Sequence, residues 1–212
     1  MASSPRFLLH HAPRSRSVSA LWMLEEAGAA YELRWHDLQA GTQKDPAFLA
    51  VNPAGKLPAL VDRGPDGSWS AVVTEVAAIA AYLADLHPGA DLAPPIGTQD
   101  RADYCFWMAY GPAVVEPAFA DAVFPRAAAA PASALGWPSM DDVVARIEAR
   151  LAGRSWLLGE RFSAADLVVG GLLAFINQFG RLKAGSEVAR YVAAIEARPA
   201  RQRAAATEGP KP

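Results

Sequence analysis

The sequence predicts two units in series, a small α/β unit over about residues 5–86 and an all-helical unit after it. Three observations carry this. The hydrophobic period switches repeatedly between the strand and helix repeats up to residue 86. The Pro- and Gly-rich stretch "PGADLAPPIGTQ" (88–99) then breaks the pattern like a linker. Beyond it no segment reads as a strand. The expected bounds are 1–86, a linker over 87–97, and 98–212.

The elements follow in order. "RFLLHH" is a short apolar run read as a strand, and "SRSVSALWMLEEAG" is a helix with Val18, Leu21, Trp22 and Leu24 at helical spacing and Gly28 as its stop. "YELRWHDL" alternates loosely like a second strand, and "QAGTQKDPAFLAV" turns polar. "LPALVD" and "WSAVV" flank "RGPDGS", whose Pro, Asp and Gly suit a tight reversal, so an antiparallel hairpin is expected. "EVAAIAAYLADLH" is an amphipathic helix ended by His87 and Pro88.

In the second unit, "DRADYCFWMAYGPAVVEPAFADAV" is a long apolar helix with a kink expected at Gly111–Pro112, because proline cannot bond back one turn. "AAAAPASA" (127–134) reads as a loop. "SMDDVVARIEARLAG" is amphipathic, with Gly153 past its end. "RFSAADLVVGGLLAFI" places Ser163 and Asp166 as a capping box, with Phe162 and Leu167 as its hydrophobic staple. "VARYVAAIEARP" closes the helices, and "ARQRAAATEGPKP" reads as a frayed tail.

Composition bounds the partners. Twenty Lys and Arg against 22 Asp and Glu leave a net charge of -2, so nothing electrostatic points to nucleic acid or an acidic membrane. The single cysteine, Cys105, excludes an intrachain disulfide and a Cys-x-x-Cys pair, which fits a reducing, cytoplasmic setting. The start "MASSPRFLLHHAPR" lacks a secretory pattern, and no apolar run nears the roughly 20 residues of a membrane span.

The stretch "NPAGKLPAL" sets a proline, Pro58, where a strand begins. Locally it is either an edge or turn proline, or a cis-proline that turns the main chain of Leu57 outward, unpaired by the sheet. Its surroundings, "QKDPAFLAVNPAGKLPALVDRG" and "TEVAAIAAYLADLHP", together with "APRSRSVSALWMLEEAGAAYEL", "YCFWMAYGPAVVEPAF", "GERFSAADL" and "YVAAIEARPARQRA", resemble the cytosolic glutathione transferases in order and along nearly the whole chain. The resemblance implies a thioredoxin-like domain with a cis-proline followed by a helical domain, and an enzyme that uses glutathione as substrate, with no metal. It also implies a homodimer.

The family's roles carry over by position. Leu57, ahead of Pro58, would pair with the cysteinyl backbone of glutathione like an added strand. Glu75 and Val76 match the family's acidic or amide residue and serine at a helix start, where free N–H groups attract the γ-glutamyl carboxylate. Val76 departs from that pattern: the serine hydroxyl is lost, a deficit of ~1–2 kcal/mol. Gln43, Lys44 and Lys56 match positions around the glycyl carboxylate. An isolated surface lysine is ordinarily just solvated.

The resemblance to bacterial and fungal members with an "SRS" form makes Ser15 the donor to the glutathione sulfur, with Ser17 as the alternative. A serine there is also an ordinary helix cap. Arg14, Arg16 and the helix start would favour the thiolate. His10 and His11, nearby, read as packing or solvent-facing groups, and Cys105 as a buried inert thiol. Tyr104, Trp107, Met108, Tyr110 and Gly111 share a helical face that family members use against a hydrophobic electrophile, though such stripes are more often plain core. Two other readings stand beside the transferase: a non-catalytic binding protein on the same scaffold, and another glutathione-dependent reaction such as peroxide reduction.

Overall fold

The computed structural model describes residues 4–128 and 130–207. Two compact units are present, one formed by residues 1–90 with 199–212, the other by Asp91–Arg198.

The first unit is built on a four-stranded sheet in the order β2-β1-β3-β4. β1 (Phe7–His11) runs parallel to β2 (Tyr31–Trp35), and the helix α1 (Ser17–Ala27) makes the crossover that a parallel pair requires. β3 (Ala59–Asp62) is antiparallel to both β1 and β4 (Ala71–Thr74). Alternation along β1 splits its side chains between two faces. Leu9 is fully buried in a core with Leu21, Trp22, Leu60, Ile79 and Leu83, the last two from α3 (Val76–Leu86). His10, on the opposite face, stacks on Phe48 of the short helix α2 (Pro46–Leu49).

The β3–β4 connection is longer than a tight reversal. Strand pairing stops at Asp62↔Ala71, so Trp69 and Ser70 lie in the loop. Asp62 explains the early stop: its buried carboxylate takes a two-pronged bond from Arg6, the Tyr82 hydroxyl at 2.7 Å and the Gly64 amide at 2.8 Å, turning the chain away from β4. Gly64 holds a left-handed φ of 72°, and a Cβ there would sit 2.9 Å from the Trp69 ring.

The second unit is helical. α4 (Gln99–Tyr110) continues through a π-turn, Gly111–Val115, into α5 (Glu116–Val123). At the expected kink, the missing N–H of Pro112 falls in one wide turn, in which the Glu116 amide reaches the Gly111 carbonyl. α6 (Met140–Leu151), α7 (Ala164–Gln178) and α8 (Ser186–Glu196) complete the unit. The capping box is present: Ser163 N and Oγ both bond Asp166 Oδ2, while the Leu157 amide and the Tyr191 hydroxyl hold Oδ1. Residues 91–97 are partly packed rather than a free linker, since Leu92 is buried and its carbonyl accepts the Ala164 amide.

The tail differs most from expectation. Residues 199–206 form a helix, α9 (Pro199–Ala206), packed on α1 of the first unit. The last five residues of that expected tail, and residue 129 of the alanine-rich loop, lie outside the described residues.

Candidate active site

Strand register brings four loops to one end of the first unit's sheet. Arg34, His10, Ala59 and Thr74 form a continuous row across β2, β1, β3 and β4. One step beyond that row come residue 36 onward, residues 12–16, the Leu57–Pro58 peptide, and Glu75–Val76. Strands lie about 4.8 Å apart, so the four loops span roughly 14 Å.

Leu57–Pro58 is a cis peptide bond. Pro58 is buried, Leu57 half-buried, and among the described residues neither the amide nor the carbonyl of Leu57 has a hydrogen-bond partner. The turn before it is shaped by Asn52, which sequence reading passed over. Its side chain donates to the Lys56 carbonyl at 2.8 Å and accepts the Ala54 amide at 3.2 Å, and its carbonyl accepts the Gly55 amide. The signal was available: an Asn ahead of Pro-Ala-Gly is the residue type that bonds its own backbone two positions on. Gly55 has a φ of 58° and lies so close to Lys44 and the Gln43 carbonyl that no Cβ would fit.

Lys44 Nζ donates to the Ala54 carbonyl at 3.0 Å, which fixes its charge beside that turn. Gln43 Oε1 is buried and has no hydrogen-bond partner among the described residues. Lys56 is exposed. On the next strand, Glu75 is exposed and takes a φ of 66° and ψ of 128° directly ahead of α3. Such a conformation in a non-glycine residue costs on the order of 1–3 kcal/mol and clusters at ligand sites. Val76 is the first residue of α3, so its amide is among those the helix cannot pair.

Ser15 and Ser17 separate clearly. Ser15 is half-buried; its Oγ accepts the Ser17 amide at 3.2 Å and lies 2.8 Å from the Ala12 carbonyl. Ser17 is fully buried, its hydroxyl enclosed by His11 Nδ1, the Ala12 amide and carbonyl, and Ser15 Oγ. Arg14 and Arg16 flank them, both exposed. Of the two serines, Ser15 alone retains solvent access. His10 and His11 are both buried rather than solvent-facing, and burial lowers each to a pKa of about 4, assisted for His10 by the neighbouring His36.

The helical-unit residues present a different picture. Tyr104, Trp107, Met108 and Tyr110 are all at least nine-tenths buried, and Gly111 is where α4 meets α7, a Cβ there falling 2.8 Å from Val168. Their burial supports the plain-core reading. Cys105, expected buried, is exposed: at 100° per residue it points away from the face shared by positions 104, 107, 108 and 111. Among the described residues no group of three or more His, Cys, Asp or Glu could hold a metal ion, and no helix is long and apolar enough to cross a membrane.

Comparison with known proteins places this geometry in a family. Residues 15–86 match the family model for the glutathione S-transferase N-terminal domain, and residues 121–194 the one for the C-terminal domain. A glutathione S-transferase of Xanthomonas campestris is 32% identical over 162 residues, which cover 70% of this chain and 76% of that protein. The crystal structure of a glutathione transferase from Methylococcus capsulatus superposes with a TM-score of 0.74 at 33% identity, covering 94% of this chain and 97% of that one. A sphingomonad glutathione S-transferase complexed with glutathione superposes with a TM-score of 0.72 at 29% identity, covering 93% and 96%. Matched by both family models and by relatives along most of its length, the chain belongs to the glutathione S-transferase family.

Proposed function

We propose that this enzyme binds glutathione across the loop end of its α/β sheet and uses Ser15 to hold the thiolate for transfer to a small hydrophobic electrophile. The observation that carries the reading is the row Arg34–His10–Ala59–Thr74, which sets the unpaired Leu57 main chain between the Ser15 loop and the start of α3. An extended tripeptide spans about 10 Å, which fits the two strand spacings from the end of β4 across β3 to β1. Leu57 N–H and C=O pair with the cysteinyl unit, the Val76 amide receives the γ-glutamyl carboxylate, and Gln43, Lys44 and Lys56 face the glycyl carboxylate.

A free thiol, with a pKa near 8.5, is mostly protonated at neutral pH. Ser15 O–H donating to the sulfur, the start of α1 and the charges of Arg14 and Arg16 all favour the anion. The thiol proton leaves to solvent. The thiolate lone pair then forms the S–C bond while the leaving group departs with the C–X electron pair. The proposal includes the serine-type, bacterial branch of the family, a homodimer, and a cytoplasmic setting.

The test is turnover of glutathione with 1-chloro-2,4-dinitrobenzene. Ser15→Ala removes a hydrogen bond to a charged group, and kcat/KM is expected to fall roughly 10- to 100-fold. An unchanged rate in that variant refutes the assignment of Ser15. Absence of both turnover and calorimetric heat with glutathione refutes the function.

A further inference from the structure

Behind Ser15 a hydrogen-bond chain runs inward and ends on a histidine. Ser15 Oγ lies 2.7 Å from Ser17 Oγ, and Ser17 Oγ lies 2.8 Å from His11 Nδ1. Ser17 and His11 are both fully buried. Ser17 Oγ also receives the Ala12 amide at 3.1 Å. Two hydroxyl oxygens at 2.7 Å need a proton between them. The serine that supplies it has none left for anything else.

His11 decides which serine that is. Burial holds the ring neutral at pH 7, with a pKa of about 4, so it carries one N–H. With the proton on Nε2, Nδ1 is an acceptor and takes the only O–H of Ser17. The proton between the serines then comes from Ser15, and a sulfur outside would face a bare oxygen. With the proton on Nδ1, His11 donates to Ser17 Oγ, whose two lone pairs are then filled by His11 and by the Ala12 amide. Ser17 turns its O–H onto Ser15 at 2.7 Å in preference to the longer 3.2 Å contact with the Ala12 carbonyl, and the Ser15 proton is free to swing from that carbonyl to an incoming thiolate.

His11 Nε2 has no hydrogen-bond partner among the described residues. Buried N–H groups without an acceptor are rarer in folded proteins than under-used acceptors, which favours the proton on Nδ1. The opposite tautomer would leave Nε2–H only the neighbouring Trp35 ring, a weak contact. We infer that His11, as the Nδ1–H tautomer, is a positioning residue for the transfer reaction: through Ser17 it turns the Ser15 hydroxyl proton toward the glutathione sulfur. This rests on the reading of Ser15 given above.

The first test reads the tautomer in the full-length protein. Imidazole 15N spectra, with the four histidines assigned by single substitution, are expected to show His11 Nδ1 protonated and Nε2 bare. The reverse pattern overturns the inference. The second test compares His11→Leu, which removes the donor, with His11→Asn, whose amide can place an N–H where Nδ1 stands. The readout is the pKa of bound glutathione, followed by thiolate absorbance. His11→Leu is expected to raise that pKa and lower kcat roughly three- to tenfold, the weight of one neutral hydrogen bond, with KM for glutathione unchanged. His11→Asn is expected to restore both.

Equal behaviour of the two variants, or a change in KM alone, shows a packing role and overturns the inference. If His11→Leu does not fold, the tautomer and His11→Asn still decide. Ser15→Ala separates the two proposals: no change in the thiol pKa sinks the Ser15 reading itself, whereas a raised pKa there with none in His11→Leu sinks only the positioning role.

Discussion

Val76 stands where the resemblance expects a serine, at the first position of α3. The Val76 amide still opens α3, but the hydroxyl that would accompany it is gone. Val76→Ser is expected to tighten glutathione roughly 5- to 30-fold, the equivalent of about 1–2 kcal/mol. Titration calorimetry on the two proteins measures it, and equal affinities would show that the γ-glutamyl carboxylate lies elsewhere. Sequence reading put Ser15 ahead of Ser17 by family position. In three dimensions the two differ in access, Ser15 half-buried and Ser17 fully enclosed, which supports that order. The same view gives His11 a task that its sequence position, at the end of a strand, does not reveal.

At the scale of the element, α9 shows where pattern reading loses its grip. "PARQRAAA" has no apolar stripe, only alanines and arginines, so it reads as tail. It folds because Ala200 and Ala204 allow close approach to α1, with Arg201 nine-tenths buried over Trp22 and Arg203 bonded to Glu25 at 2.6 Å. The two arginines differ in weight. Arg203 is more than half exposed, and its ion pair is worth about 0–1 kcal/mol, whereas Arg201 adds buried stem and a cation–π contact. Arg201→Ala is expected to destabilise the α/β unit by about 1–2 kcal/mol and Arg203→Ala by less than about 1 kcal/mol. Urea unfolding of the variants checks the order; the opposite ranking would mean that the ion pair holds the helix.

For the whole molecule, buried titrating groups set the response to acid. His10 and His11 have folded pKa values of about 4 against an ordinary 6.5, so between those limits the unfolded chain binds more protons, and stability falls as pH drops. Asp166 works in the opposite sense. Burial raises its carboxyl to about 6 despite the hydrogen bonds around it, so the folded state takes up a proton first and gains stability on acidification over the same range. Two histidines against one carboxyl leave a net uptake of about one proton on unfolding. Stability is therefore expected to fall from pH 7 to pH 5 by roughly 2–3 kcal/mol. Chemical denaturation at both values tests this, and a flat or rising profile would contradict it.

The α/β-then-helical order, the capping box at Ser163 and Asp166, and the placement of Pro58 ahead of β3 were all legible in the chain, because each is written in local periods and in residue types with few conformational options. The length of the β3–β4 loop, the π-turn after Tyr110, the helix at 199–206 and the exposure of Cys105 were not. Those depend on which surfaces meet: a buried Asp62 that draws the loop in, a Gly111 pressed on Val168, an alanine face on α1. The candidate site divides in the same way. Sequence alone named the loops that carry Ser15, Leu57 and Glu75, but only strand register, which couples residues more than 40 positions apart, could bring them to one end of a sheet and leave the Leu57 main chain unpaired between them.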